Sequence, residues 1–381
     1  MKEKIIDFVK NNRVVYLLYY YIMNTLLGVL SLFVKKDDNL ILFVSYGGRY
    51  FNDSPRCLYK AMMDDPRFSK YELVWAFRNP SQFSDIEYRV KIDTLRYYII
   101  AIKAKCWVTN VYIERGLNFK SKHTFYLNTA HGNIPKLGWT QEKKIFLPKK
   151  LSMSDAYLVQ SEYESQILKG IQNNTCLIGF PKNDILANYS EDYRNKLRYK
   201  LNVSKDKIVI LYAPTFREGP LAERKVPVDF KKWEALLGDN YVVWFRAHPV
   251  FACKVKMDSS SGFVVDMSKY PENTELMIAA DILISDYSGI TAEFGIQEKP
   301  MFCYAYDYDD YNRIRGLYFD VREDLPGGYM NEDELIDYIK NGDKNEIMEK
   351  VHEFKSKYIQ AYGHATEKCL DLIYQNIRKN H

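Results

Sequence analysis

Short runs of β-branched and aromatic residues alternate with longer amphipathic stretches along most of the chain, and no other feature limits the fold as much. A strand buried on both faces reads as a continuous apolar run, and two parallel neighbours need a long, usually helical, crossover between them. The alternation therefore predicts an α/β chain of doubly wound parallel sheets covered by helices. Candidate strands fall at 40–46, 72–77, 88–92, 106–111, 124–128, 156–160 and 176–179, and then at 207–213, 241–247, 262–266, 281–286 and 301–304. A polar stretch from about 183 to 206 separates the two groups, and 381 residues suit two cores better than one. The expected division is a helical, membrane-associating segment at 1–36, a first Rossmann-like unit at 37–185 and a second at 186–381. The last helix, over roughly 345–377, is expected to close the second sheet or to pack back on the first unit.

Composition removes several classes. With 47% hydrophobic and 27% charged residues the chain is neither disordered nor a polytopic membrane protein. A net charge of +5 is too small to point to nucleic acid. The six cysteines include no CxxC pair and have no histidine at metal-ligand spacing, which predicts reduced thiols of a cytosolic protein and no protein-bound metal.

Residues 14–34 carry no charge, enough length to cross a bilayer. Lys2, Lys4, Lys10 and Arg13 precede the stretch and Lys35 and Lys36 follow it, so it shows no clear positive-inside asymmetry. That favours a monotopic anchor in the cytoplasmic leaflet, with a spanning helix and a buried core helix as the alternatives.

Ligands of open parallel sheets bind beyond the carboxyl ends of the strands, so the residues that follow each strand are the ones to read. At 281–296 an apolar strand leads through Asp286, Tyr287, Ser288 and Gly289 into a helix that opens near Thr291. Helix-start N–H groups and two hydroxyls there suit a phosphate, although Ser288 or Thr291 would equally serve as an ordinary cap. At 242–250 a strand delivers Arg246 and His248, a pair fitted to a pyrophosphate or, alternatively, to a surface salt bridge. At 211–219 Pro214 and Thr215 form a turn before Arg217, a further phosphate candidate or a solvated loop arginine. In the first half a strand ends at His131 and Gly132, followed by Asn133 and Lys136. An imidazole beside a glycine suits proton removal from a hydroxyl as well as it suits a structural role.

Taken together, SYGGRYFNDSPRCLY (45–59), HGNIPKLG (131–138), GFPKND (179–184), YAPTFRE (212–218), RAHP (246–249), SDYSGITAEF (285–294) and KPMFCYAYDYDDYNRIRGLYFD (299–320) resemble the CDP-glycerol glycerophosphotransferase family of teichoic acid primases and polymerases. Asn133 stands where that family usually has Thr, and Gly289 where it has a second Ser. The resemblance implies a GT-B fold of two facing Rossmann-like domains, peripheral attachment to the cytoplasmic membrane face, and a lipid-linked saccharide acceptor. It implies transfer of glycerol phosphate from CDP-glycerol to a hydroxyl with release of CMP, so the nucleotide is a substrate and no cofactor is expected. On that basis His131 and His248 are the catalytic residues, with His131 the base. Pro214, Thr215, Arg217, Arg246, Asp286, Ser288, Gly289 and Thr291 form the donor site, in which Asp286 orients the loop. Gly132, Asn133 and Lys136 lie on the acceptor side. Family polymerases often carry a further N-terminal region, so the resemblance points to a primase or short-chain transferase. A ribitol-phosphate transferase, a nucleotide-sugar glycosyltransferase of the same fold and a non-enzymatic membrane scaffold are the competing readings.

Overall fold

A computed structural model describes residues 12–132, 154–169, 172–217, 228–247, 261–329 and 331–378. Its frame is two parallel sheets. The first contains β1 (Asp37–Val44), β2 (Glu72–Phe77), β3 (Arg89–Lys91), β4 (Ala104–Thr109), β5 (Phe125–Asn128), β6 (Ala156–Val159) and β7 (Thr175–Leu177), in the order β3-β2-β1-β4-β5-β6-β7. The second contains β8 (Ile208–Tyr212), β9 (Tyr241–Phe245), β10 (Val264–Asp266), β11 (Ile282–Ser285), β12 (Met301–Tyr304) and β13 (Gly327–Tyr329), in the order β10-β9-β8-β11-β12-β13. Both orders reverse direction once, between β1 and β4 and between β8 and β11. A crevice opens at each reversal, because the connections on its two sides leave toward opposite faces.

Each sheet is covered on both faces, which is why its strands read as unbroken apolar runs. Ile41, Phe43 and Trp75 pack into one core of the first sheet, and Leu42, Val44 and Trp107 into the other. In the second sheet Leu211, Trp244 and Leu283 face one way, and Ile210, Val243 and Ile284 the other. The twelve expected strands are all present, with ends shifted by a residue or so to three. Strand β13 was not expected, because Gly-Gly-Tyr carries no strand signal. Its place on the edge is set by the bonds that Cys303 and Ala305 donate to the Pro326 and Tyr329 carbonyls.

The expected final helix is two helices. Lys344–Tyr358 buries Val351, Phe354 and Tyr358 in the second core, whereas Ala365–Ile377 buries Cys369, Leu370 and Ile373 in the first. The chain thus crosses between the units twice, and the crossings are pinned together. Gln360 and Ala361 donate to the Gln160 carbonyl, and a side chain on Gly179 (φ +84°) would lie 2.3 Å from the Ala361 carbonyl oxygen. Asp184 caps the last helix by accepting from the backbone N–H of Ala365 (2.8 Å) and Thr366 (2.7 Å).

The apolar N-terminal stretch is a helix, Arg13–Phe33, long and apolar enough to cross a membrane. It is docked along one side only. Leu27 sits in the first-sheet core with Tyr20, Met23 and Leu30 partly buried beside it, and Asn24 accepts a bond from the Asn118 N–H at 2.6 Å. Leu18, Tyr21, Ile22, Leu26, Val29, Leu32 and Phe33 are exposed, the last two by 80% and 81%. The buried-helix alternative is therefore excluded, since Leu27 is the one buried residue of the helix. Lys36 is tied to Thr124 (2.5 Å) and the Ala104 carbonyl (3.3 Å).

Replacing Asp184 with Ala should destabilise the protein by about 1 kcal/mol, a fall in Tm of roughly 2 °C, because two helix-start N–H groups lose their acceptor. Thermal unfolding of the variant beside the wild type measures this.

Candidate active site

In the first domain three strand ends converge. β1 runs into Tyr46, Gly47 and Gly48, all with positive φ (44°, 60° and 79°). Only a glycine fits the last of these, since a side chain on Gly48 would lie 2.3 Å from Ile92 Cδ1 and 3.1 Å from the Ala76 carbonyl oxygen. β4 ends beside Asn110, whose side-chain oxygen accepts the Tyr46 N–H at 2.8 Å and whose backbone carbonyl lies 3.1 Å from His131 Nδ1. A carbonyl can only accept, so in the neutral ring Nδ1 carries the hydrogen and Nε2 the lone pair. His131 is exposed and stands edge-on to the Tyr46 ring at 5.8 Å. The imidazole is thereby fixed in the tautomer that a general base requires.

In the second domain the corresponding position is Asp286, beyond β11. Its Oδ1 accepts the N–H groups of Thr215 (2.8 Å) and Tyr287 (2.7 Å). Arg217 donates to both oxygens of Asp307 (2.7 and 2.8 Å) and to the Thr215 carbonyl (2.7 Å). Its Nη1 lies 2.9 Å from Asp286 Oδ2, too oblique for a hydrogen bond but close for an ion pair. The rings of Tyr287, Tyr306 and Tyr311 surround the guanidinium at 5.0 to 5.2 Å. Burial alone would push this arginine toward the neutral form, but Asp286 and Asp307 more than offset it and hold the charge. Arg217, expected to meet a donor phosphate, is completely buried and spent on two carboxylates. It shapes the loop and does not face the cleft. Pro214 and Thr215 are buried in that same turn.

Ser288 and Gly289 open the short helix Ile290–Phe294. Ser288 Oγ accepts weakly from the Ile290 N–H at 3.4 Å, and the buried Thr291 hydroxyl donates to the Ser288 carbonyl at 2.9 Å. Thr291 thus braces the turn from within, leaving half-buried Ser288 and Gly289 as its outward part. Arg246 donates to the carbonyls of Met267 (2.9 Å) and Tyr270 (2.7 Å), so one edge of it holds a loop. His248, Asn133 and Lys136 lie outside the described residues.

The two domains meet at Lys182. Its ammonium donates to Glu293 (2.7 Å) on the short second-domain helix and to the His131 carbonyl (3.1 Å), and lies 3.5 Å from Asp53. Tyr46 donates to the same Asp53 at 2.8 Å. Burial opposes the charge on Lys182, but Glu293 and Asp53 outweigh it and raise the pKa. A side chain at Gly132 would come within 3.5 Å of Glu293, so the His131 loop and the Ser288 turn are neighbours across the cleft. Arg56 and Glu272 form a second, two-pronged bridge between the domains at 2.9 and 3.0 Å. Beside the turn lies a small crevice, lined by Ser161 and Glu164 of the first domain and by Gly289, Thr291, Phe319 and Tyr358 of the second. Burial pushes the Glu164 carboxyl up to about 8.

A profile of the family described as CDP-Glycerol:Poly(glycerophosphate) glycerophosphotransferase matches residues 26–375. The chain belongs to this family. It is 30% identical over 371 residues to a teichoic acid glycerol-phosphate transferase of Staphylococcus aureus, covering 89% of this chain and 94% of that one. It is also 30% identical over 378 residues to a teichoic acid poly(glycerol phosphate) polymerase of Staphylococcus epidermidis, covering 90% of this chain but only 52% of the polymerase. A teichoic acid poly(ribitol-phosphate) polymerase of Bacillus spizizenii is 32% identical over 213 residues, 52% of this chain and 33% of that protein. Among solved structures, a variant of the wall teichoic acid polymerase TagF superposes with a TM-score of 0.81 at 29% identity, over 93% of both chains. That polymerase has also been solved as a variant soaked with CDPG, where the TM-score is 0.80 at 28% identity over 93% of both chains.

The described parts of the family motifs thus fall around one cleft, yet four residues that shape it went unrecognised as candidates: Asn110, Lys182, Glu293 and Asp307. Lys182, Glu293 and Asp307 all lie inside the family motifs, but nothing local says which partner each meets. Replacing Arg217 with Met should leave Asp286 and Asp307 buried without their cation, at a cost of about 3–5 kcal/mol. Thermal unfolding in the absence of nucleotide is the measurement; a solvent-facing phosphate ligand would give almost no change.

Proposed function

We propose that this protein transfers glycerol phosphate from CDP-glycerol to a hydroxyl of a lipid-linked acceptor. The observation that carries the reading is the close approach of Gly132, next to His131, to Glu293 on the short helix that the Ser288–Gly289 turn opens, in a member of this family. His131 Nε2 takes the proton as the acceptor oxygen attacks the glycerol-bearing phosphorus. The bond from that phosphorus to the bridging oxygen breaks, and CMP leaves with the electron pair. Ser288, Gly289 and the remaining edge of Arg246 hold the donor's phosphates, with His248 beyond Arg246 as a further contact. Arg217, Asp286, Thr215 and Thr291 position that turn from behind.

A ribitol-phosphate donor is the second reading, supported by the ribitol-phosphate polymerase among the relatives. Incubation with CDP-glycerol and CDP-ribitol separates the two: CMP release should be faster by at least an order of magnitude with CDP-glycerol.

Helix Arg13–Phe33 is the membrane contact in this reading. Docked on one side and apolar on the other, it lies along the cytoplasmic leaflet and brings the first domain to the acceptor.

His131→Ala should lower turnover about 100-fold or more while CDP-glycerol affinity by calorimetry stays within a factor of two. Near-normal turnover would remove the base from the mechanism. Leu32→Glu combined with Phe33→Glu should abolish most co-sedimentation with anionic vesicles and leave the Tm within a degree or so, since both side chains are exposed.

A further inference from the structure

Gly47 has φ +60°, and its missing side chain leaves a space that two arginines flank. A Cβ placed there would lie 3.4 Å from Arg115 Nη1 and 3.9 Å from Arg78 Nη2. Arg78 is fixed by a bond from Nε to the Gly47 carbonyl at 3.1 Å, which leaves its other end toward that space. Arg115 is fixed in the same manner. Its Nε and Nη2 grip Asp93 at 2.9 and 3.1 Å, and Nη1 has no partner among the described residues. Arg49 adds a third positive charge beside Arg78, whereas Asp93, already held by Arg115, is the carboxylate in its field. Backbone and carboxylate thus hold two guanidinium groups so that N–H groups without a partner among the described residues face the space beside Gly47. Such a fork is what a tetrahedral phosphate oxygen set accepts from.

We propose that Arg78 and Arg115, with Arg49 at the rim, form a cradle for a phosphate-ester anion of the acceptor, separate from the donor site. Its position suits that role. Tyr46, the residue before Gly47, packs against the His131 ring. On the other side Tyr19 of the N-terminal helix lies beside Tyr98 and in the field of Asp93 and Arg115. The cradle therefore stands between the N-terminal helix and the imidazole. A phosphate near the membrane surface can sit there while a hydroxyl further along the same molecule reaches Nε2. The inference rests on the transfer reading above, since it takes the first domain as the acceptor side.

The test uses the full chain with Arg78→Gln, an exposed position that should fold normally, and Arg115→Lys, which keeps the charge but loses the fork. Initial rates are measured with a soluble acceptor carrying a phosphodiester and with its phosphate-free analogue. Arg78→Gln should raise the KM of the phosphodiester acceptor about tenfold, with the phosphate-free analogue and the KM of CDP-glycerol unchanged within a factor of two. Arg115→Lys should give a smaller rise of the same selectivity. An unchanged acceptor KM, or equal losses with both acceptors, would overturn the cradle. Sedimentation with phosphatidylglycerol vesicles separates the sources of phosphate: a loss of vesicle binding in Arg78→Gln without any acceptor effect assigns the site to a membrane lipid and overturns the acceptor role. If the wild type fails to turn over CDP-glycerol, the transfer reading itself fails. The cradle is then read from the Tm rise given by millimolar inorganic phosphate, which Arg78→Gln should lose and whose absence in the wild type would overturn the site.

Discussion

The buried cation of Arg217 holds the second domain's half of the cleft together. Three chain segments that follow different strands, those bearing Thr215, Asp286 and Asp307, would repel or drift apart without it, because two carboxylates lie within hydrogen-bonding distance of one enclosed space. A charge of this kind tolerates burial only when opposite charges and hydrogen bonds replace its water. Here the tyrosine rings add a favourable surface, and the arrangement admits few alternatives. The Ser288–Gly289 turn inherits its position from this cluster, since Asp286 holds the N–H of Tyr287 immediately before it.

The first domain bridges its reversal with an amide where the second uses a carboxylate held by a buried arginine. At its reversal Asn110, beyond β4, accepts the N–H of Tyr46 beyond β1 at 2.8 Å; at the other reversal Asp286, beyond β11, accepts the N–H of Thr215 beyond β8 at 2.8 Å. In both cases a side chain on the far strand closes the gap left where the connections diverge. The two halves then differ in what they leave exposed. The first presents an imidazole whose tautomer is set by a carbonyl, and the second a polar turn backed by a short helix. Lys182 fixes their relation by holding Glu293 and the His131 carbonyl together, so the spacing of imidazole and turn depends on a residue from neither strand end. Left-handed backbone at Tyr46, Asp53, Asp93, Arg115 and Ala130 gathers around this same region, as expected where surrounding bonds impose geometry for a purpose other than stability.

Local order determined much of what could be read from the sequence alone. Continuous apolar runs specify strands buried on both faces, and the polar residues after them specify where a parallel sheet places its chemistry, because both follow from backbone geometry and solvation over a few residues. That His131, Ser288, Gly289 and Asp286 would follow the ends of parallel strands was legible on that ground. The opposite fate of Arg217 was not. An arginine after a strand looks the same whether it meets a phosphate or two carboxylates, and the second carboxylate, Asp307, lies 90 residues further along the chain. The split of the last helical stretch between two cores, the docking of Leu27, and the meeting of Lys182 with Glu293 across 111 residues were likewise decided only in three dimensions. Contacts between distant segments depend on how the layers stack, and a pattern of neighbouring residues carries no record of that.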